Sequence, residues 1–190
     1  MELSKDSLTG VVAAGALSAS LALRVLKSVL EVAARKQDSE RLRELVAAAG
    51  ETSQRLVDFA SEDGAAYANY MQARKERSPE LQMALRKAIE TPLNAARAAA
   101  GGIELCREAA SYCRGAIAAD VAGAALLLAG AVRGILCSVD ANLRAVEDSQ
   151  LAHRVAVERE SLEMHAIRHA EAIFTTVKTA SNSGRQLPPT

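Results

Sequence analysis

The chain of 190 residues has few aromatic residues, with two phenylalanines, three tyrosines and no tryptophan. Alanine is its commonest residue and the best helix former, whereas the aromatic and β-branched residues that strands favour are comparatively scarce. The chain also lacks net charge, because 23 basic residues balance 23 acidic ones. A general nucleic-acid binder needs surplus cations to neutralise phosphates. The composition therefore predicts an all-α protein that binds no nucleic acid.

Cysteines and long apolar segments are also few. Cys106, Cys113 and Cys137 form no C-x-x-C pair and cannot all pair with one another, which is typical of reduced thiols in the core of a cytoplasmic protein. The longest uncharged stretch, residues 7–23, is slightly too short for a spanning helix and is rich in alanine, glycine and serine. One lysine offset by two acidic residues does not suit a signal peptide. We therefore expect a cytoplasmic protein without a membrane partner.

Periodicity and helix-breaking residues predict an up-and-down bundle of about five long helices. The expected helices are residues 8–34, residues 38 or 39 to 74, residues 78–114, residues 117–146 and residues 149–178. Within the third helix we expect a kink at Pro92 and a looser segment at Gly101-Gly102. Short connections favour antiparallel neighbours. We expect one domain, residues 1–179, and a disordered tail, residues 180–190.

The first helix carries small residues at a spacing of four, namely Ala14, Ser18 and Ala22. Small side chains at this spacing let two helix backbones approach closely. We therefore expect this face to meet another helix or a second copy of the chain.

Asp63 breaks the apolar pattern of the second helix. It shares a stripe with Leu56, Phe59 and Tyr67, where the bundle should bury its apolar face. Burial of an ionised carboxylate is costly unless the group is paired, hydrogen-bonded or protonated, and a carboxyl group in such surroundings suits proton transfer. Alternatively, Asp63 caps a helix, bonds a tyrosine, or faces solvent beside Glu62.

Several other polar residues each allow two interpretations. Asp120 begins an apolar helix, and it is either a second functional carboxyl group or an anion favoured by the helix dipole. Arg133 interrupts the same helix and, if buried, needs an anionic partner such as Asp63 or Asp120. The polar cluster at residues 140–144, which includes Asn142, either lines a pocket mouth or ends the buried segment.

The sequence contains little that indicates metal or nucleotide chemistry. His165 and His169 have a spacing that can chelate a metal, but they lack the H-E-x-x-H order, and Glu163 and Arg168 indicate a solvated face. A phosphate-binding glycine loop, a Walker motif and a G-x-S-x-G motif are all absent from the sequence. We therefore predict no metal site, and we expect any catalysis to rely on carboxylate proton transfer.

Six segments spread over almost the whole chain carry a family resemblance. They are residues 12–17 (VAAGAL), 35–36 (RK), 61–67 (SEDGAAY), 88–93 (AIETPL), 119–122 (ADVA) and 138–144 (SVDANLR). In this order and spacing, from about Leu8 to Val177, the chain resembles the cyclodeaminase/cyclohydrolase family. This family comprises the C-terminal domain of formiminotransferase-cyclodeaminase and the free-standing methenyltetrahydrofolate cyclohydrolases.

The resemblance implies an all-helical homodimer that acts on one-carbon tetrahydrofolate derivatives without a metal or redox cofactor. A cyclodeaminase expels ammonia from 5-formimino-tetrahydrofolate to give the 5,10-methenyl form, and a cyclohydrolase adds water to that bridge to give 10-formyl-tetrahydrofolate. By this resemblance Asp63 is the expected acid/base residue. Asp120 and Asn142 are expected in the pocket, where they orient the pterin or the attacking water. Arg35 and Lys36 are expected nearby, where they attract the acidic tail of folate.

Two segments depart from the family's usual pattern. Where the family has Pro-Gly-Gly-Gly-Ser before the first helix, this chain has residues 8–11 (LTGV), with a single glycine. Where the family has Gly-Asn ahead of a Ser-Asp pair, residues 112–115 (YCRG) precede Ala119-Asp120. These departures leave a second interpretation, in which the chain is a catalytically silent family member that acts as a helical dimeric interaction module.

Overall fold

A computed structural model describes residues 10–183 of the chain, with side chains up to residue 180. This part contains five helices and no strand: α1 (Val11–Ala34), α2 (Glu40–Glu76), α3 (Leu81–Ala109), α4 (Ala116–Leu143) and α5 (Ser149–Ser183). The predicted all-α bundle of five long helices is confirmed. Helix α5 continues into the first residues of the predicted tail. The predicted start of the first helix at residue 8 and the rest of the predicted tail, residues 184–190, lie outside the described part.

Local sequence signals set several of the helix boundaries. At the start of α2, the Ser39 side chain accepts a hydrogen bond from the Leu42 N–H at 3.4 Å. At the start of α5, Asp148 accepts two backbone N–H groups of the first turn, each at 3.0 Å. Before α4, Gly115 has a φ of 63°, which glycine adopts without a Cβ clash. These residues supply the caps and turns that the helix ends require.

Helix α3 continues through Pro92, although proline removes a backbone donor from the helix. The carbonyl group of Ala88, four residues earlier, therefore loses its usual helical hydrogen bond. Asn142 of α4 replaces this bond, since its Nδ2 donates to the Ala88 oxygen at 3.0 Å. The helix is not interrupted, and a neighbouring helix supplies a donor to the carbonyl group that proline leaves unpaired.

Small residues allow the central helices to pack closely. A Cβ atom built on Gly15 of α1 would lie 2.7 Å from the Ile135 side chain of α4. A Cβ atom on Gly102 of α3 would lie 3.1 Å from Leu23 and 3.2 Å from Leu128. Both glycines therefore occupy positions where a neighbouring side chain fills the space of their missing Cβ.

One face of α1 lies on the surface of the chain. Ala22 is buried, as expected for the predicted small-residue face, but Ala14 and Ser18 are exposed. They belong to a row of exposed residues separated alternately by three and four positions. This exposed α1 face consists of Val11, Ala14, Ser18, Leu21, Val25, Ser28 and Val32.

The antiparallel packing of α1 and α4 defines two ends of the bundle. The lower end contains the first turn of α1 and the last turns of α4, and the upper end contains the end of α1 and the start of α4. At 1.5 Å per helical residue, Val11 and Arg35 are separated by about 36 Å along α1. Asp120, near the start of α4, also lies at the upper end. Residues at opposite ends of one chain are therefore too far apart to share a small-molecule site.

Helices α1 and α4 are long and apolar enough, by length and composition alone, to cross a membrane. About half of each apolar window is buried inside the bundle. Helix α4 packs against α1, α3 and α5, and together with α3, which contacts α1, α2, α4 and α5, it forms the centre of the bundle. An apolar helix in this position is also what the core of a helical bundle requires.

Candidate active site

A cavity of about 860 Å³ lies at the lower end of the bundle, between α1, α2 and α4. Its walls are the first turn of α1, residues 60–68 of α2 and residues 137–142 of α4. Asp63 and Asn142, two of the predicted site residues, both line it. The volume is in the range of small-molecule binding sites.

Asp63 is half-buried in the wall of this cavity and forms no hydrogen bond or ion pair within the described part of the chain. Its neighbours on the wall are small, and a Cβ atom built on Gly64 would contact nothing within 4 Å. Burial raises the pKa of Asp63 above its ordinary value of 3.8, because a carboxylate removed from water loses solvation. Asp63 is therefore a carboxyl group suited to exchanging protons with a ligand.

The two tyrosines near Asp63 do not hold its carboxyl group. Tyr67 is 51% exposed at the cavity wall, and Tyr70 is buried beneath it. Their ring centroids lie 6.4 Å apart. Burial is the only contribution to the pKa shift of Asp63, which agrees with the absence of a partner among the described residues.

Asn142 is half-buried, and its side-chain orientation is set by the bond from Nδ2 to Ala88. The same amide group presents an oxygen, Oδ1, that has no partner among the described residues and can accept a hydrogen bond. The residue that compensates for Pro92 therefore also lines the cavity.

The start of α1 brings backbone donors to the same cavity. Gly10 is extended, and within the described residues no side chain caps the helix there. The N–H groups of Val11, Val12 and Ala13 have no acceptor inside the helix, and the helix dipole is positive at this end. The cavity thus combines N–H donors, an amide and a protonatable carboxyl group.

The other predicted site residues lie elsewhere in the chain. Arg35, Lys36 and Asp120 are exposed at the upper end. Twenty-two helical residues separate Asp120 from Asn142, which corresponds to about 33 Å. The expected grouping of these residues around the pocket is therefore not found within one chain, because α1 and α4 carry them to the opposite end.

Two ionic residues of α4 pair with α5. Arg133 forms an ion pair with Glu163 at 3.2 Å, so neither of the aspartates expected as its partner is involved. Asp140 pairs with Arg159 at 3.0 Å. These residues attach α4 to α5 and take no part in the cavity.

The thiol groups divide into two kinds. Cys106 and Cys113 are buried free thiols, as expected for core residues. Cys137 is exposed, contrary to that expectation, and lines the cavity.

The predicted solvated face of the histidines is only partly open to solvent. His165 and His169 are half-buried and lie against Glu104 of α3. The spacing of the two histidines is visible in the sequence, but the glutamate lies on another helix, and only the fold brings it close.

A second cavity of similar size, about 880 Å³, lies at the upper end between α3, α4 and α5. It is lined mainly by apolar residues, and its described lining includes no aspartate or glutamate. It therefore lacks a carboxyl group of the kind that Asp63 provides at the lower end.

Comparisons with known proteins identify the family. The family model described as Formiminotransferase-cyclodeaminase matches residues 4–161. Among solved structures, the formiminotetrahydrofolate cyclodeaminase of Thermotoga maritima is similar, with a TM-score of 0.85 and 22% sequence identity over 93% of this chain and 91% of that chain. A search of curated proteins finds no significant match. Because the family model spans most of its length, this chain belongs to the formiminotransferase-cyclodeaminase family.

Proposed function

We propose that this protein is an enzyme that hydrolyses or forms the 5,10-methenyl bridge of tetrahydrofolate, as a methenyltetrahydrofolate cyclohydrolase or a formimidoyltetrahydrofolate cyclodeaminase. Family membership supports a folate derivative as the ligand. The observation that carries the proposal is Asp63, a half-buried carboxyl group without a partner among the described residues, in a cavity of about 860 Å³. A raised pKa brings such a group closer to the pH at which it can both accept and donate a proton.

In the hydrolytic reaction, Asp63 acts first as a base. It accepts a proton from a water molecule whose oxygen forms a bond to the bridging carbon. The bond from this carbon to N5 then breaks, and Asp63 returns the proton to N5. The hydroxyl proton of the adduct passes to solvent as the formyl group forms on N10.

In the deamination reaction, the same residue transfers a proton between two nitrogens. N10 attacks the carbon of the protonated formimino group and loses its proton to Asp63. Asp63 passes this proton to the formimino nitrogen, which leaves as ammonia. Both reactions are proton transfers and exchanges of carbon–heteroatom bonds, so we expect neither to need a cofactor.

We further propose that Asn142 and the first turn of α1 orient the pterin or the attacking water. The α1 N–H groups can donate to carbonyl or carboxylate oxygens, as helix N-termini do. Asn142 Oδ1 can accept from the pterin amine or from water. These groups line the same cavity as Asp63, which supports a single binding site.

We also propose a homodimer formed through the exposed α1 face. This face alternates by three and four residues, the spacing of a helix-pairing seam, and Leu21 within it is 61% exposed. A two-fold axis that sets the α1 helices antiparallel would bring the upper end of one copy to the lower end of the other. Arg35, Lys36 and Asp120 of the partner subunit would then lie beside the Asp63 cavity, where their expected roles in binding could be met.

The dimer is tested by light scattering during size-exclusion chromatography. We expect Leu21→Glu to yield a monomer, because it places charge in the centre of the seam. Met83→Glu, which changes an equally exposed apolar residue of α3, serves as the matched control and should remain dimeric. A dimeric Leu21→Glu variant would contradict this interface.

We expect the protein to be soluble and cytoplasmic, to bind no nucleic acid and to contact no membrane. The balanced charge and the packing of both apolar helices against other helices support this expectation.

The catalytic proposal is tested by the absorbance of 5,10-methenyl-tetrahydrofolate. The wild-type protein should accelerate its decay, or its formation from 5-formimino-tetrahydrofolate. Asp63→Asn should lower the rate by about 10²- to 10⁴-fold, the usual contribution of a general acid or base. Asp58→Asn, the same substitution at an exposed position of α2, should retain the wild-type rate.

Two results would contradict the catalytic proposal. One is full activity of Asp63→Asn, and the other is a wild-type protein inactive toward both substrates. Inactivity together with an absence of folate binding in calorimetry would favour the alternative, a catalytically silent dimeric interaction module. The observation that favours this alternative is the separation, within one chain, of the basic pair from the cavity.

A further inference from the structure

Three potential metal ligands converge where α5 crosses α3, in the upper half of the bundle. Glu104 Oε1 lies 3.1 Å from His165 Nε2 and 3.0 Å from His169 Nδ1. The two imidazole rings stack with their centroids 4.1 Å apart. Each of the three side chains is about one-third exposed, so the group lies below the surface and is still open to solvent.

The contacts to Glu104 leave its inner oxygen unsatisfied. Oε1 is buried, yet neither histidine forms a hydrogen bond to it. A buried carboxylate oxygen without a donor is costly, and such atoms are rare in folded proteins. A cation between the three donor atoms would satisfy this oxygen and both ring nitrogens together.

The distances between the donor atoms suit a small tetrahedral ion. Zinc bonds to nitrogen and oxygen are about 2.0–2.1 Å long, which separates tetrahedral ligands by about 3.3 Å. The two separations from Glu104 Oε1, 3.0 Å and 3.1 Å, are close to this value, and all three donor atoms lie within 4.8 Å of one another. Two imidazole nitrogens and one carboxylate favour a zinc-like ion over magnesium or calcium, which prefer oxygen ligands.

Arg107 fixes the orientation of the Glu104 carboxylate. Arg107 Nε donates to Glu104 Oε2 at 2.7 Å, which leaves Oε1 free to face the histidines. A support of this kind orients a metal-binding carboxylate from outside the coordination shell.

A second ion pair fixes the register of the two helices. Arg97 donates from Nε and Nη2 to the two carboxylate oxygens of Glu158, at 2.6 and 2.7 Å. Arg97 precedes Glu104 by seven residues, and Glu158 precedes His165 by seven residues. Seven residues are about two helical turns, so this bidentate pair lies directly before the three ligands on both helices.

We propose that Glu104, His165 and His169 bind one zinc ion in each chain, with water as the fourth ligand. A cavity of about 200 Å³, lined by Glu104, His165 and Ser161 among others, gives that water access. Sixteen residues of α3, or about 24 Å, separate Glu104 from Ala88, the α3 residue that contacts Asn142. The metal site is thus separate from the Asp63 cavity, and its test does not depend on the folate reaction.

Calorimetric titration with zinc tests the proposal. All chains should carry Cys137→Ser, because an exposed thiol binds zinc by itself. The remaining thiols should not compete, since burial raises the pKa of Cys106 to about 12 and also raises that of Cys113. We expect one zinc ion per chain, and at least a 100-fold loss of affinity in His165→Gln and in His169→Gln.

Two further variants separate the proposed site from simpler explanations. His153→Gln changes the third histidine, which is exposed on the same helix, and should leave zinc binding unchanged. Glu104→Gln should weaken binding, because the carboxylate is the third ligand. Unchanged affinity in Glu104→Gln would reduce the site to a histidine pair and overturn the proposal.

A thermal unfolding series with and without zinc provides a second readout. Zinc should raise the Tm of the parent chain and of His153→Gln, and it should leave the Tm of His169→Gln unchanged, since a ligand stabilises only the state that binds it. An absence of zinc binding by the parent chain would also overturn the proposal.

Discussion

Asp63 and Glu104 are two half-buried carboxyl groups in opposite halves of the same bundle, and their pKa values shift in opposite directions. Burial acts to raise both pKa values, because both groups lose solvation. Asp63 has no partner among the described residues, so its pKa remains raised. Glu104 receives a hydrogen bond from Arg107 and faces two histidines, so its pKa is lowered. The partners, rather than burial, decide that one group suits proton transfer and the other suits cation binding.

A charged partner placed beside Asp63 should remove the difference between the two carboxyl groups, because it should lower the pKa of Asp63. Tyr67→Lys places a cation four residues along α2 from Asp63, where helical side chains meet. An opposite charge at this range lowers a carboxyl pKa by about one to three units. We expect the acid limb of the pH dependence of kcat/KM to move to lower pH by a similar amount.

The control for this experiment is Tyr67→Met, which is uncharged. Its acid limb of kcat/KM should lie at the same pH as that of the wild type. A limb that stays in place in Tyr67→Lys would show that another group controls the reaction.

A second experiment concerns the lower end of the bundle, where Asn142 replaces the donor that Pro92 lacks. Asn142→Ala leaves the Ala88 carbonyl group without its donor and should lower the free energy of unfolding by about 1–3 kcal/mol. In a Pro92→Ala background, the new backbone N–H can bond to Ala88, so the same change should cost less. Urea unfolding of the wild type, both single variants and the double variant measures this coupling. Strictly additive effects would refute the assignment.

The smallest expected effects are in the pH dependence of stability. A raised pKa means that folded Asp63 binds more protons than the unfolded group, so its contribution to stability falls as pH rises from 3.8 through the folded pKa. Asp63→Asn should therefore gain stability relative to the wild type toward neutral pH. Glu104, with a lowered pKa, stabilises the fold above its ordinary value of 4.5 and loses this contribution as pH falls.

Glu104→Gln should consequently lose stability relative to the wild type at neutral pH and approach it in acid. Urea unfolding at several pH values compares the two variants in the absence of zinc. If both variants were more stable than the wild type at neutral pH, or both less stable, the opposite roles assigned to the two carboxyl groups would be contradicted.

The sequence predicts the features that depend on neighbouring residues along the chain. The order of the helices and the Ser39 cap follow from periodicity and capping rules, and the structure has both. Asp63 was identifiable because a carboxyl group on an apolar stripe conflicts with the pattern around it. These signals are local, so one sequence is enough to read them.

Features that depend on contacts between helices could not be predicted in this way. The donor that the Ala88 carbonyl group needs near Pro92 comes from α4, fifty residues after the proline in the chain. The environment of His165 and His169 depends on Glu104 of α3. The resemblance grouped Asp120 with Asp63, but it could not show that α4 carries Asp120 to the other end of the same chain.

Burial without a partner raises the pKa of Asp63 and fits this residue for proton transfer. Carboxyl-carbon NMR titration measures this pKa directly, and the spectrum of Asp63→Asn assigns the resonance. We predict a midpoint for Asp63 above 3.8. A midpoint at or below 3.8 would mean that Asp63 is an ordinary or stabilised carboxylate, and it would contradict the account.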